Sequence, residues 1–304
     1  MAQPVSSRKD ADDNRIYSWG NEHFFSVTTI LKAMPKHALV PWAAKCVAEY
    51  AMENMEHIRT EIEQGRKADI LKFMKKAPDR ERDSAADRGT AVHEACEAYI
   101  LNGSFPALGD ERIGPSIIQF QRFLREWQPE YEHIEATIYN RKRKYAGTLD
   151  AIVRLKITES LLAQLAPYGW DKLIGSAGGR FMLDIKTGKG VYSEVGLQTS
   201  AYRYGEFIGL DGVEKPVPET EPIALVLHLR PQGYKIIPAR ADEEVFKSFL
   251  YATQNFKWQN DISKTILGKP LEADLGSQLE GSLALLEEAK LAGVTPQTLL
   301  QQVA

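Results

Sequence analysis

The chain has 304 residues, 43% hydrophobic and 26% charged, with a formal net charge of −3. At ~100–200 residues per domain this allows one large domain or two modest ones, with a core that needs neither disulfides nor a structural metal. The near-neutral balance excludes a globally basic surface, so any contact with a polyanion falls to local clusters of Lys and Arg.

Residues 1–14 are polar and mixed in charge, unlike a secretory signal. Ile16–Trp19, Gly20–Asn21 and His23–Phe25 read as a small β-hairpin with its turn at Gly20–Asn21. Ser26, Thr28 and Thr29 are N-cap candidates for a short helix that Pro35 ends. Pro41 suits the first position of the next helix, and the chain from there to Lys76 is rich in helix formers. Pro78 and the charged run Asp79–Asp83 mark an expected break. Asp87–Thr90 then opens a helix ended by Asn102–Gly103, and a further helix covers Pro115–Trp127.

After Pro129 the period changes. Ile134–Tyr139 and Gly147–Leu155 read as strands on either side of a basic tip, Arg141–Lys144. Residues 158–179 read as a loop insertion with a short amphipathic piece. Arg180–Ile185 is a strand, Thr187–Gly190 a turn and Glu194–Phe207 a helix. Ile223–Leu229 and Tyr234–Pro238 pair across Pro231–Gly233, and Asp242–Gln259 is helical. The last forty or so residues, with Leu279, Leu283, Leu285 and Leu286 and then Val294–Val303, form a helical tail. The order implies an α/β fold, a mixed central sheet flanked by helices, with a helical N-terminal region. The expected organisation is one domain over residues 1–262, with a helical cover at about 26–127 and a sheet core at about 130–262, followed by the tail at 263–304. The most apolar stretch, Ala224–Leu229, falls far short of the ~20 residues that span a bilayer, so a soluble, cytoplasmic protein without a membrane contact is expected.

The chemistry gathers on two strands. Asp150 lies within one, and Asp184 and Lys186 share a face of another, because residues i and i+2 of a strand point the same way. Two carboxylates beside an ammonium describe a hard-cation site with a built-in positive group. The backbone carbonyl of Ile185 is a further oxygen ligand. Phosphodiester cleavage calls for such groups, since a cation neutralises the phosphate and lowers the pKa of an attacking water, while Lys186 stabilises developing charge. A strand Asp-x-Lys alone is equally an edge ion pair.

Three companions bear on the choice. Helical spacing sets Glu97 one turn from His93, a histidine that is either a Mg²⁺ or Mn²⁺ ligand or a hydrogen-bonded helix residue. Gln198 and Tyr202, at i and i+4, either face the cleft or form a partly buried polar pair. Arg141, Lys142, Arg143 and Lys144 are either a solvated turn or a phosphate-backbone contact. Cys46 and Cys96 have no CxxC or CxxxH partner, so the chain alone supplies no four-thiolate site and no iron–sulfur cluster is expected.

Taken in order, RGTAVHEACE (from Arg88), GTLD (from Gly147), LDIKTGK (from Leu183) and QTSAY (from Gln198) resemble the RecB-type exonucleases of the PD-(D/E)xK nuclease superfamily. The likeness is to the phage-encoded, CRISPR-associated and mitochondrial genome-maintenance branch. It spans about residues 88–202, and Ser26–Val47 also resembles the phage members. The resemblance implies a restriction-endonuclease-like core, with His93, Asp150, Asp184 and the Ile185 carbonyl on Mg²⁺ or Mn²⁺ and Lys186 as catalytic lysine. It also implies DNA contacts from Gln198, Tyr202 and Arg88, and an acidic position at Glu97. Leu149 stands where other branches carry proline, and the cluster-binding cysteines of several relatives are missing. The expected activity is a metal-dependent DNA exonuclease of recombination or repair, phage-related, with the tail helices open to a recombination partner. The alternatives are a structure-specific endonuclease on the same core and a non-catalytic DNA-end-binding protein. If the helices from about Thr28 to Lys76 cover the cleft, a strand enters only by threading from an end, and Trp42 can stack on its bases.

Overall fold

The computed structural model describes residues 7–10, 14–105, 111–175, 177–271 and 275–293. They divide into two compact units, residues 1–259 and 260–304. The first opens with β1 (Ser7–Lys9), β2 (Arg15–Trp19) and β3 (Glu22–Ser26). The turn of the β2–β3 hairpin falls at Gly20–Asn21, as the sequence predicts. Helix α1 (Val27–Leu31) starts at Ser26, whose hydroxyl accepts the amide of Thr29. Next come α2 (Leu39–Glu53), α3 (Met55–Glu63), α4 (Lys67–Lys75), α5 (Ala77–Asn102) and α6 (Gly114–Trp127). The chain does break ahead of Pro78, at Lys76 between α4 and α5, but the charged run Asp79–Asp83 is not part of the break. Proline sits in the first turn of α5, where its missing N–H costs nothing, and the charged run continues the helix with Arg82 paired to Asp79. Helix α5 ends at Gly103, as predicted, in the left-handed conformation at φ 71°.

The sheet follows with β4 (Glu130–Asn140), β5 (Tyr145–Arg154), α7 (Glu159–Leu165), β6 (Arg180–Lys186), α8 (Glu194–Arg203), β7 (Phe207–Leu210), β8 (Val213–Pro216), β9 (Ile223–Arg230), β10 (Gly233–Arg240) and α9 (Glu243–Asn260). Helix α8 stops earlier than its apolar pattern suggests. Gly205 crosses the sheet so closely that a Cβ there would lie 2.1 Å from Ile138 Cγ2, and Phe207 onward pairs with β4 instead. The strands form one mixed sheet: β4 and β5 are antiparallel, as are β5 and β6, while β9 lies parallel to β6 and β3 parallel to β5. Helices α5, α6 and α7 cover one face, packing Val92, Phe120, Phe123 and Leu161 on Val153, Leu183 and Leu225. Helices α1, α8 and α9 cover the other, with Ile30, Ala201 and Phe249 on Ile138, Ile152 and Met182.

Two features of β5 prepare the site. Its far edge is shared, with β3 pairing at Tyr145 and Ala146 and β6 pairing from Ala151 onward, so the stretch between is bordered by neither. Its inward alternation also changes phase there: Leu149 packs with the α1–α8 layer, whereas Ala151 packs with the α5–α6 layer. Asp150 stands at the change.

In the second unit, α10 (Leu275–Leu291) bears out a helical tail, with Leu283, Leu285 and Leu286 exposed. Val294–Val303 lie outside the described residues. No helix among the described residues is long and apolar enough to cross a membrane.

Candidate metal centre and active-site cleft

Strand register brings the acids together. The four-residue tip Arg141–Lys144 sets Asn140 opposite Tyr145, and counting back along both strands places Glu135 across from Asp150. Likewise, one step beyond the pair Ala151↔Leu183 brings Asp150 level with Asp184. There β5 and β6 part, and Asp150 Oδ2 accepts the Ile185 amide at 2.5 Å. From α5, His93 Nδ1 approaches Asp150 Oδ1 at 3.5 Å.

Ligand atoms of His93, Glu135 and Asp150 all lie within 4.8 Å of one another, so these three residues could hold a metal ion. Asp184 turns toward Lys186, whose ammonium donates to Oδ1 at 2.8 Å, and Gln198 donates to the same oxygen at 3.2 Å. Its Oδ2 is buried without a hydrogen-bond partner, although the Lys186 ammonium lies 2.6 Å away outside bonding geometry. An orphaned carboxylate oxygen beside three clustered ligands is what a hard cation would satisfy, so the residues present fit a divalent ion.

Burial and mutual repulsion set the protonation. Burial pushes Asp184 up to about 6, with the Asp150 charge adding and Lys186 opposing. Glu135 rises to about 7, again by burial first and then by Asp150. For His93 burial works against the imidazolium, yet the charge and hydrogen bond of Asp150 outweigh it and the pKa is raised. Burial would raise Asp150 too, but His93, Lys186 and the Ile185 amide hold it below the usual carboxylate range.

Glu135 is the residue that sequence reasoning missed. Its φ of 46° lies in the left-handed region, which costs a non-glycine residue about 1–2 kcal/mol and is characteristic of functional sites. A carboxylate within the predicted strand Ile134–Tyr139, combined with hairpin counting from the basic tip, was the available signal. Glu94 also lines the cleft, together with Glu97, whose pKa is raised by burial and by Glu94.

The other expected residues separate into two groups. Gln198 borders the cleft on both the His93 and Lys186 sides. Tyr202 is 3% exposed. Its ring fills the space that a side chain at Gly147 would need (a Cβ there would lie 2.6 Å from the ring), and its hydroxyl accepts from Gln198. It therefore lines the cleft as a largely buried residue and positions the Gln198 amide. Arg88 is half-buried and donates to Ser84 on its own helix. The basic tip is not brought to the site. Arg141 is bonded to Glu22 and Glu214, Lys144 to Glu22, and the tip lies about 20 Å along β5 from Asp150 at ~3.3 Å per residue. No protein-family model and no curated protein sequence matches the chain.

Proposed function

We propose that the protein is a divalent-metal-dependent deoxyribonuclease of the RecB-type PD-(D/E)xK kind, an exonuclease acting on single strands or duplex ends in recombination or repair, in a phage or bacterial setting. The observation that carries the reading is convergence: His93, Asp150, Asp184, Lys186 and Gln198 come from four separate stretches of sequence and meet at one cleft. The chain order of α5, the β4–β5–β6 meander, α8 and then β9 parallel to β6 supports the restriction-endonuclease-like core that the resemblance implies.

Oxygen-rich ligands with one imidazole suit Mg²⁺ or Mn²⁺, held by His93, Glu135 and Asp150 with Asp184 and the Ile185 carbonyl as further candidates. Such an ion, when bound, supplies polarisation of the phosphate and a lowered pKa for the attacking water. The chain's own groups do the rest. Lys186, anchored by Asp184, offers positive charge where the phosphate gains negative charge, and Gln198 fixes the Asp184 carboxylate that orients it. The carboxylates of Glu94, Glu97, Glu135 and Asp150 line the His93 side and repel a phosphate backbone until they are neutralised, which favours strict metal dependence. In the tail, the exposed Leu283, Leu285 and Leu286 of α10 form the surface for a recombination partner protein.

Thr28 of α1, Lys36 and Trp42 border the cleft system, which supports entry from a strand end. Single-stranded circles, compared with the same sequence linearised, test this. The expected outcome is a resistant circle and stepwise loss from the linear form. Equal rates would replace the exonuclease by an endonuclease on the same core.

A further inference from the structure

Three cavities adjoin one another. The cleft that holds His93 and Glu135, about 500 Å³, shares Thr28 and Gln198 with a small cleft of about 210 Å³ that holds Lys186. The small cleft in turn shares Lys36, Tyr192 and Glu194 with a larger pocket of about 990 Å³. That last pocket lies between the segment from Met34 to Trp42 and the first turns of α8 and α9.

Its chemistry differs from that of the metal cleft. Trp42, Met34, Leu197 and the exposed ring of Tyr192 supply apolar and aromatic wall. The two arginines on its rim are already engaged, Arg82 with Asp79 and Asp83 and Arg240 with Asp242 and Glu244. Lys36, at the junction with the Lys186 cleft, forms no ion pair among the described residues. A wall of this kind has little to offer a phosphate and much to offer the flat face of a base, with one free ammonium at the entrance for the adjoining phosphate.

We propose that this pocket takes unpaired nucleobases of the strand whose phosphate lies at Lys186, stacking them on Trp42 and Tyr192. The inference rests on the nuclease reading and adds a substrate form to it. Bases can enter only when unstacked and unpaired, so the protein engages a single strand on the Lys186 side of the scissile bond. The volume exceeds what one base needs and leaves room for a neighbour.

Binding without cleavage makes the test, using a Lys186→Ala chain with Mn²⁺ and single-stranded oligonucleotides that are intact or carry abasic sites near one end. Trp42→Ala is expected to weaken intact single strands about tenfold, and Trp42→Phe about twofold. An abasic end is expected to weaken binding by a similar factor when Trp42 is present and hardly at all in Trp42→Ala, a pattern that general damage to α2 would not give. Blunt duplex is expected to bind more weakly than a single strand and to be indifferent to Trp42→Ala. An abasic penalty equal in both chains, or none with Trp42 intact, overturns the base pocket and leaves the nuclease reading standing. Failure of the chain that keeps Trp42 to bind any DNA overturns both.

Discussion

The two sides of the cleft differ in chemistry, and the proposed function gives them opposite tasks. On the His93 side, Glu94, Glu97, Glu135 and Asp150 face the cavity with Arg15 as the one guanidinium among its lining residues. On the Lys186 side the lining turns to Lys36, Lys186 and Gln198, and beyond them to Trp42 and Tyr192. Burial raises the Glu135 and Asp184 carboxyls to about 7 and about 6, with the Asp150 charge adding to both. Such an arrangement costs stability and persists where a cation is to be bound. On the Lys186 side the ammonium pairs with Asp184, which fits the proposed surface for substrate. The lesson is that an acid-rich side and a side carrying ammonium and aromatic groups lie across a cleft that the sequence presents only as scattered motifs.

The division breaks most sharply at Lys186 and Asp184. Lys186→Ala or Asp184→Asn is expected to reduce cleavage at least about a thousandfold while DNA affinity stays within about tenfold, because affinity comes from many contacts and the chemistry from few. Gel-shift and end-labelled cleavage assays on the same preparations check this. Near-normal turnover in either variant would mean that the β6 strand is not the reacting one.

The carboxylate side is sharpened by calorimetric titration with Mn²⁺. Asp150→Ala should weaken binding most, by about a hundredfold or more, since Asp150 touches both His93 and the Ile185 amide. Glu135→Ala should follow, and His93→Ala should be mildest, at about tenfold, because it removes a ligand without removing negative charge. Unchanged affinity in the Glu135 variant would make its left-handed backbone a purely structural feature.

How far the sequence revealed this arrangement depends on the range of the interactions. The β2–β3 hairpin, the Ser26 cap, the β9–β10 pair and the shared face of Asp184 and Lys186 are local matters of turn chemistry and period, and all were legible. The start of α5 at Ala77 and its run through Asp79–Asp83 were hidden because a first-turn proline reads like a terminator. Strand β7 was hidden because Phe207 and Ile208 match the apolar phase of α8, although the chain has already turned at Gly205. The ion pairs of the basic tip depend on Glu22 and Glu214, acids far away in sequence, so Arg141 and Lys144 of a run that reads as open to phosphate are engaged within the protein. Glu135 needed both strand registers at once, and a residue can be central to a site without belonging to any motif.

A smaller effect separates the stability of the two sides. Glu135 titrates at about 7 in the fold against an ordinary 4.5, so the native state holds a proton that the unfolded chain has released between those values. Its favourable contribution is therefore complete below about pH 4.5 and is lost as pH rises through about 7. Glu135→Gln should stabilise the metal-free protein by about 1–2 kcal/mol at pH 8, allowing for solvent screening, and raise Tm by a few degrees. At pH 5 the two proteins should melt alike, and saturating Mn²⁺ at pH 8 should reverse the order by favouring the native carboxylate. Equal melting of the metal-free forms at pH 8 would show that Glu135 carries no burden in the apo state.

The most direct test of the metal-dependent nuclease is a time course of the unaltered protein on end-labelled linear DNA with Mg²⁺, with Mn²⁺ and with excess chelator. Progressive shortening with either cation and intact DNA with chelator is the predicted result. Full-length DNA in every lane, from protein that binds Mn²⁺ by calorimetry, would contradict it and leave a metal-binding protein without nuclease chemistry.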